Sequence, residues 1–228
     1  MLNNYAEFTY NRHLYKFYSL TRDDKIHVES HQKDKNFYEW YVLEYIRKMN
    51  LRGVYVDVGA NIGNHSVYFA CECPSTEVIS IEMVPEVFEI LKENCRLNIN
   101  KPHTLINCAV VDLPRMVSHE PILSYRVGST KVKENLDGNI QGDTLDNILD
   151  SITNIAVIKI DIESYEVFAL RGATNILKRE IPLIVTEAQD DKEFNAYKEI
   201  MYGAGYKVIC KETRGTPLYF WQPTKTGV

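Results

Sequence analysis

The residues that can do chemistry fall into two groups. The first lies in the run Val54-Tyr55-Val56-Asp57-Val58-Gly59-Ala60-Asn61-Ile62-Gly63-Asn64-His65, where a buried strand passes through a tight turn into a helix start. Gly59 and Gly63 let the backbone approach a ligand at positions where a Cβ would obstruct. Position 60 is Ala and the spacing is Asp-x-Gly-x-x-x-Gly, so the Gly-x-Gly-x-x-Gly pyrophosphate fingerprint is absent and a ligand without a diphosphate is favoured. Asp57, near the carboxyl end of the strand, is placed either to meet a cationic ligand group, such as an ammonium or a sulfonium, or to brace the turn. Glu82 ends the next apolar run 19 residues beyond Gly63, where an acidic side chain can accept both hydroxyls of a ribose. Together they predict a nucleoside-containing cofactor held by Asp57, Gly59, Ala60, Asn61, Gly63, Asn64, Glu82 and Met83, with Asp161 of the second group reaching the same ligand. The segment from Asn107 to Asp112 lies on the same edge and borders the base at Ala109; Asp112 is equally a turn residue before Pro114.

The second group is Ile158-Lys159-Ile160-Asp161-Ile162-Glu163. By the period-two rule the apolar side chains take one face and Lys159, Asp161 and Glu163 the other. On a strand covered on both sides, three ionisable residues are costly unless they line a cavity. The alternative is a structural pair in which Lys159 and Asp161 neutralise each other. Glu187, at the end of the fifth expected strand, faces the same mouth. His65 reads more readily as a half-exposed helix residue than as a ligand contact. Tyrosines 5, 10, 15, 18, 38, 41 and 45 form either an aromatic wall for a ring substrate or ordinary packing.

These side chains need elements to hold them. From residue 54 the sequence alternates short apolar runs with helix-length segments, as in a parallel sheet covered on both faces. Strands are expected at 54–58, 78–81, 105–110, 156–161 and 183–186, and helices at 62–71, 85–98, 165–179 and 191–202, with a short one starting within 143–150. The segment 111–142 lacks a strong period and carries Pro114, Pro121, Gly128 and Gly138, which reads as a hairpin-containing insertion. The β-rich runs 206–211 and 218–221 are joined by too short a link for a parallel crossover, so they pair antiparallel. The expectation is an α/β fold: a doubly wound, mostly parallel, Rossmann-like seven-stranded sheet ending in an antiparallel hairpin. Residues 1–50 form an N-terminal extension or lid with a lead-in helix at 37–49, and residues 51–228 the main domain.

Composition agrees with this scale. A chain of 228 residues with 45% hydrophobic and 25% charged residues suits one soluble domain. Twenty-six Lys and Arg against 31 Asp and Glu give 26 − 31 = −5, which disfavours a surface built for nucleic acid. No stretch of about 18 apolar residues occurs and the first residues lack a signal-peptide pattern, so a cytosolic location with no membrane partner is expected. Five cysteines without a paired framework read as reduced thiols; Cys71 and Cys73 have no second pair to complete a zinc site.

The chain resembles the FkbM family of S-adenosylmethionine-dependent methyltransferases. The matching segments are 56–63, Gly142-Asp143-Thr144-Leu145-Asp146-Asn147-Ile148-Leu149, 158–163 and Leu170-Arg171-Gly172-Ala173, within a similarity spanning roughly residues 37 to 190. The C-terminal hairpin is also the arrangement of class I methyltransferases. The resemblance implies methyl transfer from S-adenosylmethionine to a hydroxyl of a sugar, glycan or secondary metabolite, leaving S-adenosylhomocysteine. Two departures stand out: Met83 follows Glu82 where the family often has Pro, and Ser164 and Tyr165 follow Glu163 where it usually has Gly, adding bulk beside the reaction site. An in-line displacement on an alcohol needs an aligned nucleophile and a proton acceptor, a role assigned to Asp161 or Glu163 with Lys159 orienting the carboxylates. Asp161 with Glu187 could hold a divalent cation, as in catechol-type enzymes, but the oxygen set is thin and no metal is expected. A nucleotide-cofactor oxidoreductase and a non-catalytic S-adenosylmethionine-binding protein are the alternatives. Nucleic acid is not the expected acceptor, because no Asn/Asp-Pro-Pro-Tyr/Phe string follows the fourth strand.

Overall fold

A computed structural model describes residues 4–133 and 137–224. The chain opens with an antiparallel hairpin, β1 (Tyr5–Tyr10) and β2 (His13–Tyr18), followed by a π-helix at Ile26–Asp34 and by α1 (Trp40–Met49). Asn11 and Arg12 both take positive φ (45° and 70°), as a two-residue hairpin turn requires. Ala6 and Phe8 on β1 and Tyr15 and Phe17 on β2 point into the core. The hairpin's open edge is covered from a helix, α3 (Pro85–Asn98). Asn94 accepts from Tyr18 N (2.7 Å) and donates to Tyr18 O (2.9 Å), while Asn98 accepts from Lys16 N (2.9 Å) and donates to Lys16 O (2.7 Å). Two amides one helical turn apart thus meet two residues two apart on a strand, and they satisfy an edge that would otherwise be open.

The central part alternates as expected: β3 (Gly53–Val58), α2 (Asn64–Glu72), β4 (Ser75–Glu82), α3 and β5 (His103–Asn107). An insertion follows, whose strands β6 (Ala109–Val110), β7 (Arg115–His119), β8 (Val132–Lys133) and β9 (Ile140–Asp143) form a small sheet ordered β6-β9-β7-β8, with a 3₁₀ turn at Val127–Ser129. The chain then returns through α4 (Leu145–Ile148), β10 (Ile155–Ile160), α5 (Glu166–Arg171), α6 (Thr174–Arg179), β11 (Leu183–Glu187), α7 (Asp191–Gly203), β12 (Tyr206–Glu212) and β13 (Leu218–Pro223). The main sheet has seven strands ordered β12-β13-β11-β10-β3-β4-β5; β13 is antiparallel to both neighbours and the other pairs are parallel. Strands β3, β4 and β5 lead outward in one direction and β10 and β11 in the other, with β13 inserted between β11 and the edge strand β12, so the carboxyl ends of β3 and β10 form the switch point where such folds bind ligands.

Side chains alternate across this sheet. Val56, Ile158 and Ile184 pack on one face with Tyr197 and Trp221, and Tyr55, Val157 and Val185 on the other with Phe8, Phe17, Phe37 and Tyr68. In the second cluster the N-terminal hairpin contributes to the same core as the main sheet. Most of the tyrosines thereby become packing groups: Tyr15 is 2% exposed and Tyr10 hydrogen-bonds Glu44. The expected strand 105–110 divides at Cys108, its end joining the insertion sheet, and the helix expected at 165–179 breaks at Gly172, where a Cβ would lie 2.4 Å from Val111 O. Among the described residues no helix is long and apolar enough to cross a membrane.

Candidate active site

The turn after β3 is built against the end of β10. Gly59 has φ 79°, and a Cβ there would stand 1.9 Å from Asp161 O, so strand packing alone demands glycine. Gly63, at φ 92°, meets Leu91 Cδ1 in the same way at 2.8 Å and lines neither of the two cavities at the carboxyl end of the sheet. The Gly59 and Ala60 amides both donate to Ile81 O, at 2.9 and 3.0 Å. Glu82, 8% exposed, accepts from Asn61 N (2.9 Å) through one oxygen and from Val84 N (2.8 Å) through the other. One backbone bond per oxygen leaves each with acceptor capacity, as a pair of ribose hydroxyls would need. Burial raises the pKa of Glu82 above the ordinary carboxylate range.

A slot opens beside Glu82. Its walls are Ile81, Met83, Val87, Cys108 and Val127, and its floor is Gly59 and Asn61. The insertion covers it: Gly128 approaches so closely that a Cβ would fall 2.6 Å from Asn61 Nδ2. Asn61 Oδ1 is buried there without a hydrogen-bond partner. An apolar slot with an acidic end and an orphan acceptor offers the chemistry that a nucleoside needs, and these residues would hold one. Ala109, expected to border the base, does not line the slot, whereas its neighbours Cys108 and Val110 do. Asp112 is ion-paired to Arg115 (2.6 Å), the turn reading of that residue.

The slot runs into a wider cavity of about 640 Å³, and the two share Gly59, Asn61, Gly128, Asp161 and Glu163. Lys159 is 1% exposed and its Nζ lies 2.9 Å from Asp161 Oδ2. Burial opposes its charge, but the fields of Asp161, Asp57 and Glu39 more than compensate and hold its pKa above the usual lysine value. Burial would likewise raise Asp161, yet the charge and hydrogen bond of Lys159 hold it below the usual range. Glu163, at φ 54°, is raised by burial and by the Asp161 charge. Glu187 is pushed up to about 10 by burial and then by Asp161, Glu163 and Glu166, so it carries a proton at neutral pH. Asp161, Glu163 and Glu187 each offer an oxygen within 4.8 Å of the others, a spacing that could hold a metal ion.

Asp57 is fully buried and lines neither cavity. Its Oδ2 accepts from Ser66 Oγ (2.5 Å), which in turn accepts from Ser80 Oγ (2.8 Å), as a brace would, while its Oδ1 is buried without a hydrogen-bond partner. Asn64 lines the wide cavity but spends its amide on the N-terminal segment, accepting from Tyr38 N (2.9 Å) and donating to Tyr38 O (3.0 Å). Sequence reasoning missed Glu39, and it left Tyr38 and His65 each with two readings. Tyr38 lines the cavity, and burial with the charges of Glu39, Asp161 and Glu187 raises its phenol. Glu39 is buried at the start of α1 with φ 54°. His65, read as half-exposed, is 6% exposed and stands 3.2 Å from Glu39.

A doubly wound sheet ending in an antiparallel hairpin, with an acidic strand end at the switch point, defines the class I methyltransferase fold. Residues 57–208 match the methyltransferase FkbM domain, and the chain belongs to that family. The hexuronic acid methyltransferase AglP of Haloferax volcanii is 31% identical over 127 residues, covering 54% of this chain and 50% of that protein. The chain therefore spans about half the length of this relative. In the crystal structure of methyltransferase FkbM from Methylobacillus flagellatus KT the fold agrees at a TM-score of 0.50 and 20% identity, over 73% of this chain and 42% of that one. The precorrin-6y C5,15-methyltransferase of Geobacter metallireducens GS-15 agrees at 0.51 and 14% identity, over 79% and 84%.

Proposed function

We propose that this chain transfers a methyl group from S-adenosylmethionine to a hydroxyl of a sugar acid or related glycan in the cytosol, and releases S-adenosylhomocysteine. Residues 51–228 form the catalytic domain, with 1–50 packed over it. The observation that carries the reading is the continuity at Gly59, Asp161 and Glu163 between the apolar slot beside Glu82 and a wide polar cavity. Glu82 takes the ribose and the slot takes the base. Lys159 keeps Asp161 charged, and Asp161 and Glu163 position the cationic and hydroxyl groups that meet at the boundary. The Haloferax relative acts on a hexuronic acid, and Arg126 and Lys131 on the cavity rim suit an acceptor carboxylate.

Calorimetry with S-adenosylmethionine, S-adenosylhomocysteine and NAD tests the cofactor. Micromolar binding of the first two, weakened at least tenfold in Glu82→Gln, is expected; binding of NAD alone would reverse the reading in favour of an oxidoreductase. Transfer of a labelled methyl group to glucuronic and galacturonic acid glycosides tests the acceptor, with RNA as the control that redirects it. Lys159→Ala and Asp161→Ala should bind cofactor and lose turnover, and full turnover in either would remove their assignment. Because Lys159 already supplies the cation beside Asp161, we expect a chelator to leave turnover unchanged; loss restored by magnesium would overturn that.

A further inference from the structure

We infer that His65, oriented by Glu39, accepts the proton of the acceptor hydroxyl; the inference rests on the methyl-transfer reading above. The sequence pointed to Asp161 or Glu163 for this role, and the geometry moves it. Asp161 is bound to Lys159, an arrangement that weakens it as a proton acceptor. Glu163, where slot and cavity meet, is engaged by Ser129 and stands in the field of Lys131 and Arg126, although burial and the Asp161 charge raise its pKa. Glu187 already holds a proton at neutral pH.

His65 stands in the first turn of α2, two residues after the glycine loop, and lines the wide cavity beside Lys159 and Asp161. Its Nε2 is 3.2 Å from Glu39 Oε2, and the two side chains are 8% and 4% exposed. Neither atom has a hydrogen-bond partner as the ring now stands. A buried carboxylate and a buried imidazole nitrogen at this distance need one proton between them, and a small ring rotation aligns it; such bonds commonly tighten only when reactants are in place. With the proton on Nε2, Nδ1 keeps its lone pair. Among the described residues nothing hydrogen-bonds Nδ1, which leaves it to the cavity that the ring lines. The charged and titratable groups around the ring are Glu39 and Tyr38 at the start of α1, and Lys159 and Asp161 at the end of β10, with Glu187 beyond them. A carboxylate behind an imidazole fixes its tautomer and stabilises the imidazolium formed.

The step balances without another reactant. The hydroxyl O–H bond breaks and its proton passes to His65 Nδ1; the oxygen forms the new bond to the methyl carbon; the carbon–sulfur bond breaks with its electron pair left on sulfur, giving a neutral thioether. Solvent then takes the proton from His65. Glu39 touches no reactant in this scheme and is a positioning residue.

The first test needs no acceptor. Nitrogen-15 spectra of imidazole-labelled protein, assigned by comparison with His65→Gln, should show His65 protonated on Nε2 and bare on Nδ1 at neutral pH, with the bias lost in Glu39→Gln. A proton on Nδ1, or a permanent imidazolium, would overturn the inference. In the second test, His65→Gln and His65→Asn should bind S-adenosylhomocysteine within threefold of wild type and lose about 100-fold or more in methyl transfer to the uronic acid glycosides. Turnover within threefold of wild type would sink the assignment. If wild type binds no S-adenosylmethionine or methylates none of the glycosides, the functional reading fails in its cofactor or acceptor part, and the spectra decide the pair separately.

Discussion

Gly59 shows how a residue that looks dedicated to a ligand is first demanded by its own fold. A methyl group there would collide with the Asp161 carbonyl and require an L residue at φ 79°. Gly59→Ala should therefore lower the urea midpoint, the backbone conformation alone costing about 1–3 kcal/mol, and reduce cofactor affinity together with stability. Glu187 gives a pH-dependent counterpart. Its pKa is raised to about 10 in the fold from an ordinary value of 4.5. The folded state therefore holds this proton where the unfolded chain has lost it, and the group erodes stability as pH rises from about 4.5 toward 10. Glu187→Gln should be more stable than wild type above about pH 5, by a margin that grows with pH; urea titrations at several pH values check it, and a constant difference would contradict the burial argument. At this scale the sequence was legible where a residue type is rare in its setting, as with Glu82 closing an apolar strand. It was silent on Glu39, which is 26 residues from His65 and 120 from Lys159 and meets them only through tertiary packing. His65 was misread because α2 is buried all round, from Asn64 to Ala70, between the sheet and the N-terminal elements. A local pattern takes such a polar residue to mark a solvent face.

Among elements, the parallel strands were readable because continuous β-branched and aliphatic runs have few other uses. The N-terminal hairpin was not, since aromatic residues occupy both of its faces and blur the period-two alternation. Its docking depends on two amides of α3. Asn94→Ala would strip partners from Tyr18 N, Tyr18 O and Ile62 O, and we expect a loss of about 1–3 kcal/mol in chemical denaturation. Asn94→Asp keeps only the acceptor and should be intermediate or worse. The insertion acts through its 3₁₀ turn. At Gly128 the nearest obstacle to a Cβ is the Asn61 amide, a movable group, and the backbone is not in the left-handed region. Gly128→Val should accordingly weaken cofactor binding about tenfold while the urea midpoint changes by little; a large fall in stability would show that the turn is structural and not a cover for the slot.

For the whole molecule, the hairpin, α1 and the sheet share one hydrophobic cluster, which holds Phe8, Phe17 and Phe37 and in which Phe37 packs edge-on against Tyr68. A chain shortened by its first 35 residues would expose Phe37 and the outer side of α2. We expect it to be insoluble or molten, as judged by near-ultraviolet circular dichroism, where a dispensable lid would leave a folded, cofactor-binding remainder. The sequence reads this segment as an extension or lid because its contacts run to residues from 20 to more than 70 positions away, beyond the reach of local periodicity. The bonds from Asn94 and Asn98 to the hairpin edge have one more consequence. Terminal hairpins ordinarily fray, and their amide protons exchange with solvent in a local event. Here the Lys16 and Tyr18 amides are held by side chains of a helix that begins beside Glu82, so their release requires that helix to move. In deuterated buffer these two protons, close to the chain terminus, should persist as long as those of the central strands and be lost only with global opening.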